Sequence, residues 1–187
     1  TAIARPVSRS PEHILQVLDR GVMGVQIPHV ITAQDARDAV AAVKYHPLGK
    51  RGLAAGTRSA VYDSHGTLAE YVKAANDSTL IAVQIEDEAA VHNIDELLKV
   101  DDIDVFFIGP SDLSQSMGHP GNPKAPVVAE AIDSCFRKML AAGRTPGTPA
   151  TAEHVSEVLG KGVRYIYTHL PRLLAGSAKT YFKSARG

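Results

Sequence analysis

The chain has 187 residues, and its 20 Lys plus Arg balance its 20 Asp plus Glu to give a formal net charge of zero. This length suggests one domain, residues 1–187, with a sizeable core, and the balanced charge argues against nucleic acid or an anionic membrane as a partner. No apolar run reaches transmembrane length, and one cysteine, Cys135, leaves no intrachain disulfide. We expect a cytoplasmic protein in which Cys135 is a small, buried side chain of a helix.

The predicted elements alternate between strands and helices along the chain. Continuous apolar runs, of which Leu80–Ile85 is the strongest, are typical of strands in a parallel sheet covered on both faces. The predicted strands are Thr1–Ala4, Met23–Ile27, Leu80–Ile85, Asp104–Ile108, Thr145–Pro149 and Val163–Tyr167. The predicted helices are Ser10–Arg20 with Ser10 as its cap, Thr32–Tyr45, Thr67–Ala75, Glu88–Leu98, Val127–Ala142, Ala152–Leu159 capped by Thr151, and a last one opened by Pro171. Loops are predicted over His46–Gly66 and Gly109–Pro126.

This β-α-β alternation predicts a parallel α/β fold and leaves two architectures open. Six strands in a chain of this length suit an open, doubly wound sheet without further assumption. A closed (β/α)8 TIM-type barrel needs eight strands and typically about 250 residues. Periodicity alone does not separate these two architectures.

Acidic side chains follow two consecutive predicted strands at the point where each strand ends. Gln84 and Glu86 stand at the end of the strongest strand, and Gly109 and Asp112 follow the next. Neighbouring parallel strands lie about 4.8 Å apart, so the two carboxylates can reach one ion, and such oxygen ligands suit Mg²⁺ or Mn²⁺. Gly109 also lets the backbone approach a ligand closely. Taken singly, Glu86 as a helix cap and Asp112 in an Asx turn are simpler interpretations; together the residues indicate a divalent-metal site.

These motifs resemble the HpcH/HpaI family of metal-dependent pyruvate (class II) aldolases. The specific element is Ile108-Gly109-Pro110-Ser111-Asp112-Leu113-Ser114, preceded by Gln84-Ile85-Glu86. Weaker matches occur in the same order, namely Arg5-Pro6, Ile27-Pro28-His29-Val30, Gly49-Lys50-Arg51-Gly52 and Ala75-Asn76. The resemblance extends from Arg5 to the last helix.

The resemblance implies a (β/α)8 TIM-type barrel of which this chain covers about strands 3 to 8. In the family, two strands precede the one that ends in the arginine, and a catalytic histidine follows the second of them. We therefore expect about 60 further residues upstream, which would complete the eight strands and carry the general base.

The resemblance also implies roles for individual residues. Glu86 and Asp112 would be the metal ligands, and the ion would be Mg²⁺, with Mn²⁺ or Co²⁺ as alternatives. Arg5 would be the catalytic arginine that steadies the pyruvate oxygen as charge develops; its competing interpretation is an ordinary surface ion pair. The substrate-binding residues would be Arg5, Gln84, Gly109, Ser111 and Asp112, with the amides of the last two on the pyruvate carboxylate.

The activity implied by the resemblance is that of a carbon–carbon lyase. A divalent ion stabilises a pyruvate enolate that adds to an aldehyde, and the reverse reaction cleaves a 4-hydroxy-2-oxo acid. The partners would be a 2-oxo acid (pyruvate or oxaloacetate), an aldehyde, and further copies of the chain in a homo-oligomer, a trimer or hexamer. Two alternatives stay open: oxaloacetate decarboxylation or macrophomate-synthase-like chemistry on the same fold, and a non-catalytic barrel subunit.

Two segments depart from the family pattern. Pro146-Gly147-Thr148-Pro149 stands where the family has an apolar strand, and Tyr167-Thr168-His169 replaces a Val-Gly-Val-Asp-like turn. Either departure would alter the pocket for the second substrate. His29 and His169 would face the catalytic end of a barrel, where we expect a solvated or core role for each.

Overall fold

Six parallel strands form one sheet in the order in which they occur along the chain. The computed structural model describes residues 1–64 and 66–186, so His65 of the predicted loop His46–Gly66 and the final Gly187 lie outside it. The strands are β1 Ile3–Ala4, β2 Gly24–Ile27, β3 Leu80–Ile85, β4 Val105–Ile108, β5 Pro146–Pro149 and β6 Tyr165–Tyr167. A doubly wound sheet reverses its strand order at a switch point. The uninterrupted order therefore excludes that architecture and suits the wall of a barrel.

The sheet is curled, so that its second strand, β2, faces its last strand, β6. The Gln26 side chain of β2 lies close enough to the Tyr167 hydroxyl of β6 to lower its pKa. In a flat sheet these strands would be four spacings apart, about 19 Å, which no tyrosine side chain spans. The six strands therefore form a half-barrel, consistent with part of a TIM-type barrel.

Nine α-helices and one short 3₁₀ helix, Val61–Asp63, occur in the described residues, and most of the α-helices connect one strand to the next. They are α1 Pro11–Asp19, α2 Ala33–Val43, α3 Leu68–Ser78, α4 Glu88–His92, α5 Ile94–Leu97, α6 Pro110–Ser116, α7 Pro126–Ala141, α8 Val155–Gly160 and α9 Leu170–Arg186. The predicted cap Ser10 is confirmed, since its hydroxyl accepts the His13 N–H, and Thr32 and Thr67 each form a capping box. None of the described helices is long and apolar enough to cross a bilayer.

Alternate strand side chains separate into two apolar layers. The outer layer packs beneath the helices and includes Ile27, Val83 and Ile108. Cys135 of α7 belongs to this layer, as predicted, and burial raises the pKa of its thiol to about 11. The inner layer is small and consists of Ala82, Val105 and Phe107, flanked by Leu80 and Tyr165. The inner face therefore has room for polar side chains where the strands end.

The predicted loop Gly109–Pro126 is wrong over its first half, because α6 occupies Pro110–Ser116. Proline at the first helical position favours initiation. The helix buries only Leu113 and Ser114, so its sequence carries too short an apolar pattern to be recognised. As a result, Asp112 lies in a helical turn instead of an irregular loop.

Three other boundaries differ from prediction. The helix predicted over Glu88–Leu98 is two helices, α4 and α5, separated at Asn93, whose side-chain amide donates to the Ile31 carbonyl. Thr151 does not cap the next predicted helix, because its hydroxyl pairs with the His154 ring and α8 begins at Val155. The terminal strands β1 and β6 are also shorter than predicted.

Candidate active site

Glu86 lies at the carboxyl end of β3 with its carboxylate turned into the half-barrel, and it is 2% exposed. Its Oε1 accepts the backbone N–H of His29 at 2.9 Å, and its Oε2 accepts the side-chain amide of Gln84 at 2.8 Å. Burial raises the pKa of Glu86, because desolvation penalises the charged carboxylate more than the His29 N–H stabilises it. Both carboxylate oxygens therefore bond to other residues, and Glu86 does not cap the following helix. The N-cap residue of α4 is Asp87, whose side chain makes no capping hydrogen bond.

Gln84 and Gly109 shape the surroundings of this carboxylate. The Gln84 Oε1 atom is buried and has no hydrogen-bond partner among the described residues. A Cβ atom added at Gly109 would lie 2.8 Å from Glu86 Oε2 and 3.6 Å from Gln84 Nε2. The missing side chain at Gly109 thus provides the space that the Glu86 carboxylate occupies.

Replacing Gly109 with Ala is expected to lower the free energy of unfolding by about 1–3 kcal/mol, as overpacked sites generally do. The new methyl group would displace Glu86 from its two donors. Gly160→Ala is the matched control, because a Cβ there meets nothing within 4 Å. Denaturant unfolding of both variants tests the expectation, and equal stability of the two would contradict this account of Gly109.

Asp112 lies in the first turn of α6. Its negative charge raises the pKa of both Glu86 and His29. No hydrogen bond to the Asp112 carboxylate is found in residues 1–64 and 66–186, so the Asx-turn interpretation does not apply there. The Ser111 carbonyl accepts the Ser114 hydroxyl at 2.8 Å. The amides of Ser111 and Asp112 belong to the first helical turn, where N–H groups lack intrahelical acceptors. The exposed Asp112 carboxylate is therefore available to a ligand.

Arg5 directly follows β1, and its side chain is exposed. It makes no ion pair with any residue of the described segments, which excludes the surface ion-pair interpretation within them. Its positive charge acts on the Tyr167 hydroxyl. Arg5 therefore lies on the same side of the half-barrel as the acidic residues.

His29 contacts the acidic site more closely than the sequence suggests. It has a φ of 53°, a left-handed conformation that is uncommon for residues other than glycine, and this turn brings its N–H to Glu86. The ring is 61% exposed, and its Nδ1 lies 3.1 Å from Asp87 Oδ2 and 3.6 Å from Glu86 Oε1. The hydrogen bond to Asp87 raises the pKa of His29. The Pro28-His29 pair after β2 is the sequence signal for this contact, although it does not reveal the backbone conformation.

Tyr167 is a further residue that the sequence does not assign to the site. It is 38% exposed, and the charges of Arg5, Glu86 and Asp112 all act on its hydroxyl. Burial raises its pKa, so the hydroxyl is protonated at neutral pH. His169 is exposed, which agrees with the solvated role expected for it, and its ring makes a T-shaped contact with Tyr167 at 5.6 Å.

The residues at this site suit a hard divalent cation. Glu86 is a buried carboxylate whose direct hydrogen bonds come only from neutral donors, so a nearby cation would offset its desolvation. Asp112 supplies a second carboxylate, and the partnerless Gln84 oxygen can accept a hydrogen bond from an ion's water. No three His, Cys, Asp or Glu side chains are grouped to hold an ion within the described chain. Water or substrate oxygens would therefore complete the coordination, as is usual for Mg²⁺.

Cavity volume does not locate this site. A cavity of about 730 Å³ lies on the outer, helical layer and is lined by residues of α1, α2 and the segment 50–52. It contains neither Glu86 nor Asp112. The site is therefore defined by its charged groups at the strand ends.

A curled parallel sheet with an acid pair and an arginine at the carboxyl ends of its strands is consistent with part of a TIM-type barrel, a class whose ligands bind at those ends. The family model for the HpcH/HpaI aldolase/citrate lyase family matches residues 1–162. The chain belongs to the HpcH/HpaI aldolase/citrate lyase family.

Known proteins resemble the chain in both sequence and structure. It is 38% identical over 177 residues to 2-keto-3-deoxy-L-rhamnonate aldolase of Escherichia coli, covering 94% of this chain and 66% of the relative. A family protein from Burkholderia cenocepacia superimposes with a TM-score of 0.93 at 25% identity, covering 99% of this chain and 73% of that structure. Macrophomate synthase superimposes with a TM-score of 0.79 at 25% identity, covering 98% and 66%. The chain thus spans about two thirds of the length of the curated relative.

Proposed function

We propose that the protein is a divalent-metal-dependent class II aldolase that cleaves a 4-hydroxy-2-oxo acid to pyruvate and an aldehyde. The observation that carries the proposal is the buried Glu86 carboxylate, which has only neutral hydrogen-bond donors and lies beside Asp112. The 38% identity to an aldolase supports the reaction class and favours an enzyme over a non-catalytic subunit. That relative is named for 2-keto-3-deoxy-L-rhamnonate, so this 2-oxo acid is the first substrate to test.

The proposed roles follow from the contacts at the strand ends. Glu86 and Asp112 would hold the ion, Mg²⁺ or alternatively Mn²⁺ or Co²⁺, and Gln84 keeps the Glu86 carboxylate oriented. A bound divalent ion supplies Lewis-acid stabilisation of negative charge on a 2-oxo oxygen.

The remaining roles concern the substrate. Arg5 presents a planar fork of N–H donors to the same oxygen, and the amides of Ser111 and Asp112 bind the carboxylate. Gly109 keeps the backbone close to both groups.

The proposal is tested by measuring pyruvate release from 2-keto-3-deoxy-L-rhamnonate with a lactate dehydrogenase coupled assay. We expect activity with Mg²⁺, Mn²⁺ or Co²⁺, its loss in excess chelator, and its return when the ion is restored. Separate controls on the coupling enzyme exclude an effect of the chelator there. Full activity in excess chelator would overturn the metal-dependent mechanism.

Decarboxylation of oxaloacetate, or macrophomate-synthase-like chemistry, is the second candidate. It is favoured by the likeness to macrophomate synthase. The same enolate would form by loss of CO₂. Measuring oxaloacetate consumption and CO₂ release without added aldehyde, beside the aldol assay, distinguishes the two activities by their ratio of kcat/KM.

We also propose that β1 to β6 correspond to strands 3 to 8 of a (β/α)8 barrel in which residues 1–187 belong to one domain. The unbroken parallel order and the curl of the sheet support this. The coverage of about two thirds of the aldolase relative agrees with six strands of eight. Cytoplasmic location stays a prediction.

The last helix supports the proposed homo-oligomer, a trimer or hexamer. Apolar side chains of α9 are 50–69% exposed, and they are Leu170, Leu173, Leu174, Tyr181 and Phe182. An exposed stripe of this kind is typical of an interface. Leu174→Glu is expected to reduce the assembly size in sedimentation velocity, whereas Lys183→Glu, on the opposite side of α9, leaves it unchanged. A monomeric parent protein would refute the oligomer.

A further inference from the structure

Two segments depart from the family pattern, one containing Gly147 and the other containing Tyr167. Both contribute to an aromatic cluster on the inner face of β4, β5 and β6. The Phe107 ring of β4 stacks on Tyr167 of β6, with ring centres 5.4 Å apart and planes 4° apart, and meets Tyr165 edge-on at 6.0 Å. Between these strands lies Gly147 of β5, where a Cβ would be 3.0 Å from the Phe107 ring, the Tyr165 ring and Val105. The glycine in β5 therefore provides the space in which aromatic rings from its two neighbouring strands meet.

This packing fixes the direction of the Tyr167 side chain. Its ring stacks on Phe107 and also makes a T-shaped contact with the His169 ring. Phe107 is paired in register with Gln84, the residue that donates to Glu86. The hydroxyl faces Gln26 of β2, which lowers its pKa, and Tyr167 as a whole is 38% exposed. Tyr167 thus carries its polar end towards the space bounded by Arg5 and the acid pair.

The groups around that space could bind a ligand next to the Tyr167 hydroxyl. Arg5 and Asp112 make no hydrogen bond or ion pair within the described residues, so both are available to a ligand placed between them. A tyrosine hydroxyl is protonated at neutral pH and can donate a hydrogen bond. A hydrogen bond with Gln26 would use only one of the bonding positions of the hydroxyl, because a hydroxyl both donates and accepts.

We propose that the Tyr167 hydroxyl donates a hydrogen bond to an oxygen of the bound 2-oxo acid, which makes Tyr167 a specificity-determining residue of the site. This inference rests on the proposed aldolase function. The ligand class is a short 2-oxo acid whose carboxylate and oxo group lie between Arg5 and the acid pair. The aromatic cluster positions the donor, and Gly147 allows the cluster to form.

Tyr167→Phe tests the proposal, because it removes the hydroxyl and keeps the ring against Phe107. Tyr165→Phe is the matched control: it lies on the same strand and the same face and contacts the same Phe107 ring, but it is one layer further from the acid pair. Pyruvate binding to the metal-loaded protein is measured by isothermal titration calorimetry, which needs no turnover. A hydrogen bond to a charged ligand corresponds to about a 10-fold change in affinity, so we expect about a 10-fold weaker Kd for Tyr167→Phe and a change below about 2-fold for Tyr165→Phe.

Cleavage kinetics provide a second measurement. The Tyr167→Phe variant should also lose about 10-fold in kcat/KM. If its pyruvate affinity and kcat/KM equal those of Tyr165→Phe while its melting temperature falls, the hydroxyl only satisfies Gln26 and the proposal is overturned. If the parent protein itself binds no pyruvate with any divalent ion, the proposed function fails, and that result is recognised without either variant.

Discussion

Replacing Glu86 with Gln is expected to reduce pyruvate release by about 10³-fold or more, because it removes one of two carboxylate ligands of the proposed ion. Lewis-acid stabilisation by a metal is worth several kcal/mol, and each 1.36 kcal/mol changes a rate about tenfold. The coupled assay for pyruvate release and a direct titration of Mg²⁺ or Mn²⁺ measure the two effects. Activity close to that of the parent would remove Glu86 from the proposed mechanism.

The same substitution is expected to leave stability unchanged or to increase it. Burial raises the pKa of Glu86, so the charged carboxylate is disfavoured where it lies. A glutamine oxygen can accept the His29 N–H as Glu86 Oε1 does. Gln84 can rotate its amide so that the partnerless Oε1 accepts the new N–H donor. Glu86→Ala would instead leave the His29 N–H unsatisfied, and an unsatisfied buried donor costs about 1–3 kcal/mol.

Two further variants complete this experiment. Asp112→Asn should lose activity to a similar degree without affecting thermal unfolding, since Asp112 is exposed. Glu88→Gln is the control, because Glu88 is an exposed carboxylate two residues beyond Glu86. Equal losses in Glu88→Gln and Glu86→Gln would show that the effect is general electrostatics and not metal ligation.

The positions of the strands along the chain and the position of the acid pair could be predicted from the sequence because both depend on local patterns. Apolar runs identify buried strands, and acidic residues after two consecutive runs must meet at one edge of a parallel sheet. Capping residues such as Ser10 and Thr32 set helix starts through contacts of only three residues. These features need no knowledge of the rest of the chain.

The contacts that could not be predicted depend on curvature or on backbone conformation. The reach of Tyr167 to Gln26 requires the sheet to curl, and no local pattern encodes the degree of curl. The His29 N–H reaches Glu86 only through a positive φ. Gly147 looks like a defect in a strand until Phe107 and Tyr165 are seen to share its space. Long-range packing therefore determines which neighbours complete the acidic site.

Replacing Arg5 with Lys is expected to reduce kcat for pyruvate release by about 10²-fold or more, as the loss of an oxyanion donor does. Lysine keeps the positive charge but lacks the planar pair of donors that arginine offers to one oxygen. The side chain has no ion pair within the described residues, so the substitution breaks no internal contact there. The melting temperature should therefore equal that of the parent protein.

The division of the effect between kcat and KM tests the proposed role of Arg5. If Arg5 stabilises charge that develops during bond cleavage, kcat falls while pyruvate affinity, measured separately by calorimetry, changes little. Arg20→Lys is the control: it is an exposed arginine at the end of α1, before β2, and so belongs to the opposite end of the strands. A parental kcat in Arg5→Lys would show that Arg5 does not contact the reacting oxygen. A loss confined to affinity would reassign Arg5 to ground-state binding of the 2-oxo acid.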